Sequence, residues 1–239
     1  MRRRRNIGRL TMATIFWAGD STVQYNNITT YPQTGIGQVF HLFLKPEVKI
    51  ENHAKNGRST KSFIDESRLP AIYDKITEGD FLFIQFGHND EKKEDPDRYT
   101  EPFSDYMINL EKFVNVARNK KAIPVLITPL ERRCFTDEKT LGPGEHGDYV
   151  EAMKRTAEKL DVALIDLNSM SRAEMTRVGA EASRSWYMHI PEGKYPYHME
   201  GLTDNTHLQY AGAVVYGGCI ARGLKELGGV YKDLLSDEL

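Results

Sequence analysis

Five short apolar runs punctuate the chain: TIFWAG (14–19), EVKIEN (47–52), DFLFIQFG (80–87), AIPVLITP (122–129) and VALIDL (162–167). They are rich in Val, Ile and Phe and mostly lack apolar–polar alternation, the pattern of strands covered on both faces. Between them, apolar positions recur at helical spacing. Residues 35–44 gather Ile36, Val39, Phe40 and Phe43, and residues 103–119 gather Phe103, Met107, Leu110, Phe113, Val114 and Ala117. Residues 145–160, 170–182 and 209–227 read as helices too. Strands alternating with helices predict βαβ units, and so a parallel sheet with helices on both faces. No repeat, low-complexity tract or Pro/Gly/Ser linker cuts the 239 residues, so a single α/β domain over 1–239 is expected.

In such sheets, ligands bind beyond the carboxyl ends of the strands. The residues after each run are therefore the informative ones. Gly19-Asp20-Ser21 follows the first, NHAKNGRS the second, FGHND the third and TPLERRCF the fourth. Polar, glycine-bearing tips thus gather at one edge of the expected sheet.

Composition narrows the field. The net charge of −2 provides no broad basic field for nucleic acid. The one basic block, MRRRR, opens a stretch without an apolar core of the kind a secretion signal carries, so residues 1–12 read as a dispensable tail. No run of about 18 apolar residues predicts a membrane span. Cys134 and Cys219 read as two free thiols in a reducing compartment, and a cytoplasmic location is expected.

Ser21 at a strand tip is the first candidate for chemistry. A lone serine there ordinarily caps a turn or helix, and this one lies outside a G-x-S-x-G elbow. A nucleophilic serine also needs a base. Asp204 and His207, three residues apart in GLTDNTHLQY, supply one if they sit on a turn or first helical turn, where the carboxylate reaches the near imidazole nitrogen. Helix capping by Thr203, Asp204 or Asn205 is the simpler alternative. Gly57 reads as a turn glycine or as a backbone N–H aimed at a developing oxyanion, and Asn89 as a strand-end cap or an amide donor to the same oxyanion. His189 and His198 lie near His207 in sequence, but no ligand spacing supports a metal site.

Taken together and in this order, these blocks resemble the SGNH (GDSL-type) hydrolases. Ser21 in GDS, Gly57 in NGRS, Asn89 in GHND and His207 in DNTH match that family's four signature blocks. The segments AGDST, NHAKNGRS, QFGHND and TPLERR are similar to its rhamnogalacturonan acetylesterase branch. The resemblance runs from about Thr14 to Leu227. It implies a three-layer α/β/α, flavodoxin-like fold with a central five-stranded parallel sheet. It implies a Ser21–His207–Asp204 acyl-enzyme mechanism, an oxyanion hole formed by Ser21, Gly57 and Asn89, and no metal or cofactor. The implied activity is removal of acetyl groups from acetylated rhamnogalacturonan oligosaccharides. The alternatives are an acetyl-xylan or general carbohydrate acetylesterase, a lipid esterase or thioesterase, and a non-catalytic carbohydrate-binding protein.

Substrate contacts are less determined. The stretch 184–199 holds Trp186, Tyr187, Tyr195 and Tyr197, which would suit sugar rings or merely pack a long loop. Arg132 and Arg133 would meet an acidic sugar, or form a solvated cluster or a structural pair with Glu131. Asp20 is expected to order the Ser21 turn. Oligomeric state leaves no mark in the sequence.

Overall fold

The computed structural model describes residues 13–238; the expected tail over 1–12 lies outside them. Strands β1 (Thr14–Gly19), β2 (Lys49–Asn52), β3 (Phe81–Gln85), β4 (Ile123–Ile127) and β5 (Ala163–Ile165) form one parallel sheet in the order β2-β1-β3-β4-β5. The expected five-stranded sheet is therefore present, in flavodoxin-like order. The order reverses direction between β1 and β3, which opens a crevice at their carboxyl ends.

Alternate residues of each central strand feed two cores. Ile15, Trp17, Phe83, Val125 and Ile127 face one side, packing with α1 (Ile36–Val39) and the later helices. Phe16, Ala18, Leu82, Ile84 and Leu126 face the other, covered by α2 (Thr60–Asp65), α3 (Arg68–Tyr73), α4 (Met107–Asn119) and α5 (Gly147–Leu160). With both faces buried, these strands have no polar alternation, which is why they read as continuous apolar runs. The first side is completed by α6 (Leu167–Val178), α7 (Ala180–Ser183), α8 (Tyr210–Leu227) and α9 (Gly229–Lys232).

Three departures from the sequence reading have local causes. The helix expected at 170–182 begins at Leu167, because Asp166 caps it by accepting from the Ser169 N–H at 3.1 Å; the strand before it is correspondingly short. The helices α2 and α3 went unread because each has six residues and they part at Ser67, a left-handed residue with φ 58°. Of the stretch read as an aromatic loop, Tyr187–Ile190 is a strand, β6, paired antiparallel with β7 (Leu202–Leu208) apart from the main sheet, and residues 191–201, with Tyr195 and Tyr197, form the connecting loop.

Candidate active site

The exit of β1 is shaped by close approach. A Cβ on Gly19 would lie 3.0 Å from the Gln85 carbonyl and 3.2 Å from Val23. Asp20 then builds the turn: its Oδ1 accepts from the Thr22 N–H at 2.9 Å and the Thr22 hydroxyl at 2.8 Å. Its own carbonyl accepts from the Val23 and Gln24 N–H groups. Asp20 thus orders the turn, as expected. Burial pushes its carboxyl above the usual range, opposed by the Thr22 bonds and the nearby charges of His207 and His146. Ser21, 6% exposed, stands at the rim.

The base arrives from the far end of the chain. His207 Nε2 lies 2.9 Å from Ser21 Oγ, and His207 Nδ1 lies 2.6 Å from Asp204 Oδ2. With the carboxylate accepting from Nδ1–H, Nε2 carries the lone pair that faces the serine hydroxyl. The local structure differs from the turn or helix start expected. Met188 pairs with Asp204 and Tyr187 with Leu208, so Asn205, Thr206 and His207 bulge from β7. Asp204 Oδ1 closes the bulge by accepting from the N–H groups of Thr206 at 2.7 Å and His207 at 3.0 Å. Burial alone would raise the Asp204 pKa. The His207 hydrogen bond and charge and the two N–H groups outweigh it and bring the carboxyl down to about 2.

Gly57 and Asn89 follow β2 and β3, the strands on either side of β1. Gly57 occupies the third position of a turn closed by Arg58 N–H to the Lys55 carbonyl at 3.2 Å, with φ +76°, a conformation suited to glycine. The turn is tied to β1 by Lys55 N–H on the Gly19 carbonyl and by Asn56 N–H on the Gln24 side chain. Asn89 is buried, and its amide is fixed at both ends: one N–H goes to the Arg58 carbonyl at 3.1 Å, and the oxygen accepts from Arg98 at 3.3 Å. A second amide N–H remains. Among the described residues, the Ser21 and Gly57 N–H groups donate to no protein acceptor. These three N–H groups thus belong to the tips of three adjacent strands, β1, β2 and β3.

Asp90, next to Asn89, links the tips. It accepts from the Thr60 N–H and hydroxyl and from the Thr100 hydroxyl, at 3.0, 2.5 and 3.0 Å. Burial raises its pKa to about 7 against those bonds. Sequence reasoning passed over this residue and the histidines beside it. His88 is buried in edge-on contact with His146, ring centroids 4.3 Å apart, and His146 Nδ1 is 2.7 Å from Glu91. Burial, with the charges of His146 and Arg132, holds His88 well below the usual imidazole range. A histidine in a strand-tip motif and another in a glycine-rich loop carried no joint signal in the sequence. Among the described residues, no group of three or more His, Cys, Asp or Glu converges as metal ligands would. Cys134 and Cys219 are both free thiols.

The substrate candidates need correction. Tyr187 is fully buried: its hydroxyl lies 3.0 Å from the Glu131 carbonyl and 2.9 Å from the Tyr216 hydroxyl, so it is a core residue. Trp186 is half-buried, edge-on to Tyr216 at 5.8 Å. Arg132 is spent on Glu91 at 2.8 Å and Glu145 at 3.1 Å. Arg133 holds the Ala180 carbonyl, the Ser183 hydroxyl and Asn205, bracing the bulge that carries His207. Glu131 pairs with Arg172 at 2.9 Å. Both ERR arginines are thus committed to protein acceptors.

A buried serine hydrogen-bonded to a carboxylate-oriented imidazole is the equipment of an acyl-transferring hydrolase. Residues 18–214 match the GDSL-like lipase/acylhydrolase family, and the chain belongs to that family. The chain is 41% identical to the rhamnogalacturonan acetylesterase RhgT of Bacillus subtilis, over 92% of this chain and 93% of RhgT. It is 41% identical to the probable rhamnogalacturonan acetylesterase YesY of the same organism, over 90% of this chain and 93% of YesY. Among solved structures, YxiM of Bacillus subtilis superimposes with a TM-score of 0.76 at 27% identity, over 91% of this chain and 57% of YxiM. The acetylxylan esterase Axe2 of Geobacillus stearothermophilus shares the fold, with a TM-score of 0.63 at 14% identity over 88% of this chain and 93% of Axe2.

Proposed function

We propose that this protein is a serine carbohydrate acetylesterase that removes acetyl groups from acetylated rhamnogalacturonan-type oligosaccharides. The observation that carries the chemistry is the unbroken relay from Ser21 through His207 to Asp204. The likeness to RhgT and YesY over nine-tenths of the chain supports the substrate class.

His207 takes the Ser21 proton as Oγ attacks the ester carbonyl, and Asp204 holds the imidazole in its tautomer and stabilises the imidazolium. The Ser21 and Gly57 N–H groups and the Asn89 amide receive the oxyanion. As the intermediate collapses and the carbonyl carbon–sugar oxygen bond breaks, His207 gives the proton to the departing sugar oxygen, leaving Ser21 acetylated. Water, activated by the same imidazole, then releases acetate and restores the serine. Among the described residues, no helix is long and apolar enough to cross a membrane.

The test is acetate release from a panel of acetylated rhamnogalacturonan, xylan and simple nitrophenyl esters of increasing acyl length. The proposal expects acetate to be preferred over octanoate and rhamnogalacturonan over xylan. Octanoate preference would establish a lipid esterase, and xylan preference a general carbohydrate acetylesterase.

A further inference from the structure

Two hollows meet where β7 leads into α8, lined by sequence neighbours of the relay and not by Ser21, Asp204 or His207 themselves. One, of about 780 Å³, lies between the loop after the nucleophile (26–34) and the start of α8. The other, of about 510 Å³, lies against the β6–β7 hairpin and includes Thr203, the neighbour of Asp204. They share Ser185 and Gln209, the latter two residues beyond His207. The Thr34 N–H donates to the Leu208 carbonyl at 2.8 Å, so both walls of the larger hollow are fastened to the segments that carry Ser21 and His207.

Their linings differ in kind. The larger hollow presents Tyr31 and Tyr210, 53% and 58% exposed, with Tyr195 edge-on to Tyr31 at 5.4 Å. Side-chain amides of Asn27, Gln33 and Gln38 surround them. Exposed aromatic faces flanked by amides suit the apolar face and hydroxyls of a neutral sugar ring. The smaller hollow presents Arg184, Lys194 and His189, with Glu181 as a carboxylate on the same wall. Arg184 is exposed and, unlike Arg132 and Arg133, has no ion-pair partner among the described residues. Lys194 lies at the junction, its ammonium 5.4 Å from the Tyr195 ring centroid. Two permanent cations without protein carboxylates to satisfy them favour an anionic ligand, and a guanidinium fork fits a carboxylate.

We propose that the two hollows are one cleft for an anionic oligosaccharide, with a neutral ring against Tyr31 and Tyr210 and a uronate carboxylate held by Arg184 and Lys194. The inference rests on the carbohydrate reading above and names where the acidic sugar is recognised. It relocates that recognition from the fourth strand's tip to the hairpin side of the site.

The test is calorimetric binding of unesterified oligomers to the Ser21→Ala protein, with an alternating rhamnose–galacturonate oligomer as the acidic probe and a xylo-oligomer of equal length as the neutral one. Arg184→Gln with Lys194→Gln is expected to weaken the acidic oligomer by about tenfold and the neutral one by less than about twofold. Raising the salt concentration should mimic the loss. The charge-keeping pair Arg184→Lys and Lys194→Arg should retain most of the affinity, and Tyr31→Ala with Tyr210→Ala should weaken both oligomers. Unchanged acidic binding in the Gln variant, or equal losses for both oligomers, would overturn the proposal. This binding pattern in a wild-type protein that releases acetate from no sugar ester would support the cleft and refute the esterase reading.

Discussion

The proposed catalytic residues come from two regions built in opposite ways. Ser21, Gly57 and Asn89 stand on the tips of adjacent strands in a doubly covered sheet, and their positions are consequences of the core beneath them. Asp204 and His207 stand on a two-stranded hairpin outside that sheet, in a bulge closed by two bonds to a single carboxylate oxygen. The strands of the first region are held by many buried apolar residues on both faces. The second is positioned by a few polar contacts, with side-chain exposures of 23% for Asp204 and 32% for His207. Packing thus fixes the strands beneath Ser21, Gly57 and Asn89, and short turn bonds finish their tips, whereas Asp204 and His207 are positioned mainly by local hydrogen bonding.

The comparison is broken most completely at the Ser21–His207 hydrogen bond. Ser21→Ala should reduce turnover of nitrophenyl acetate by about 10⁶-fold while circular dichroism and the thermal midpoint stay near wild type, since only a hydroxyl is removed. Near-normal turnover in a folded variant would exclude Ser21 as nucleophile. Asp204→Asn cuts within the hairpin alone. It should lower kcat by about 10³–10⁴-fold, because an amide both mis-sets the imidazole tautomer and fails to stabilise its charge, with KM little changed. Asn89→Ala acts on the sheet side. It should cost about 10²–10³-fold in kcat, again with little change in KM, as removal of a donor used only when the oxyanion forms requires.

The smallest effect separates the regions by pH. Asp90 has a folded pKa of about 7, above its ordinary 3.8, so the native state keeps a proton that the unfolded chain has lost. Its contribution to stability is full below pH 3.8 and is lost as pH rises through about 7. Asp204, at about 2, has the opposite sign: its contribution is present above pH 3.8 and is lost as pH falls through about 2. Urea midpoints should show Asp90→Asn flattening the decline between pH 4.5 and 8, while Asp204→Asn flattens the decline on the acid side. A wild-type midpoint that does not fall between pH 4.5 and 8, or an Asp90→Asn midpoint that follows the wild-type slope, would refute the Asp90 assignment.

The two regions were also unequally legible in the sequence. The sheet region could be read because burial on both faces forces long Val/Ile/Phe runs, and the chemistry follows directly at their carboxyl ends. The hairpin region could not, although Asp204 and His207 could be named. Their spacing of three suits a helical turn, and only the cross-strand pairing of Met188 with Asp204 and Tyr187 with Leu208 turns it into a bulge. The aromatics of 184–199 were visible as composition, but which faced water was decided by packing against α8. Tyr187 went inward to Tyr216, whereas Tyr195 turned to Tyr31. The charges of 131–133 looked available for the same reason: the carboxylates that satisfy Arg132 come from Glu91 and Glu145, distant in sequence or across a loop.

The serine and the histidine that activates it are separated by 186 positions along the chain. During synthesis from the N-terminus, Ser21 and the strand tips around it leave the ribosome long before His207, and the early strands can begin to assemble without the hairpin. Until residue 207 is made and β7 has closed on β6, the emerging polypeptide carries a serine without a base. The serine's activation thus waits for the last part of the chain, and any product truncated ahead of the hairpin would lack both the base and α8, whose Tyr216, Ile220 and Leu224 cover one face of the sheet.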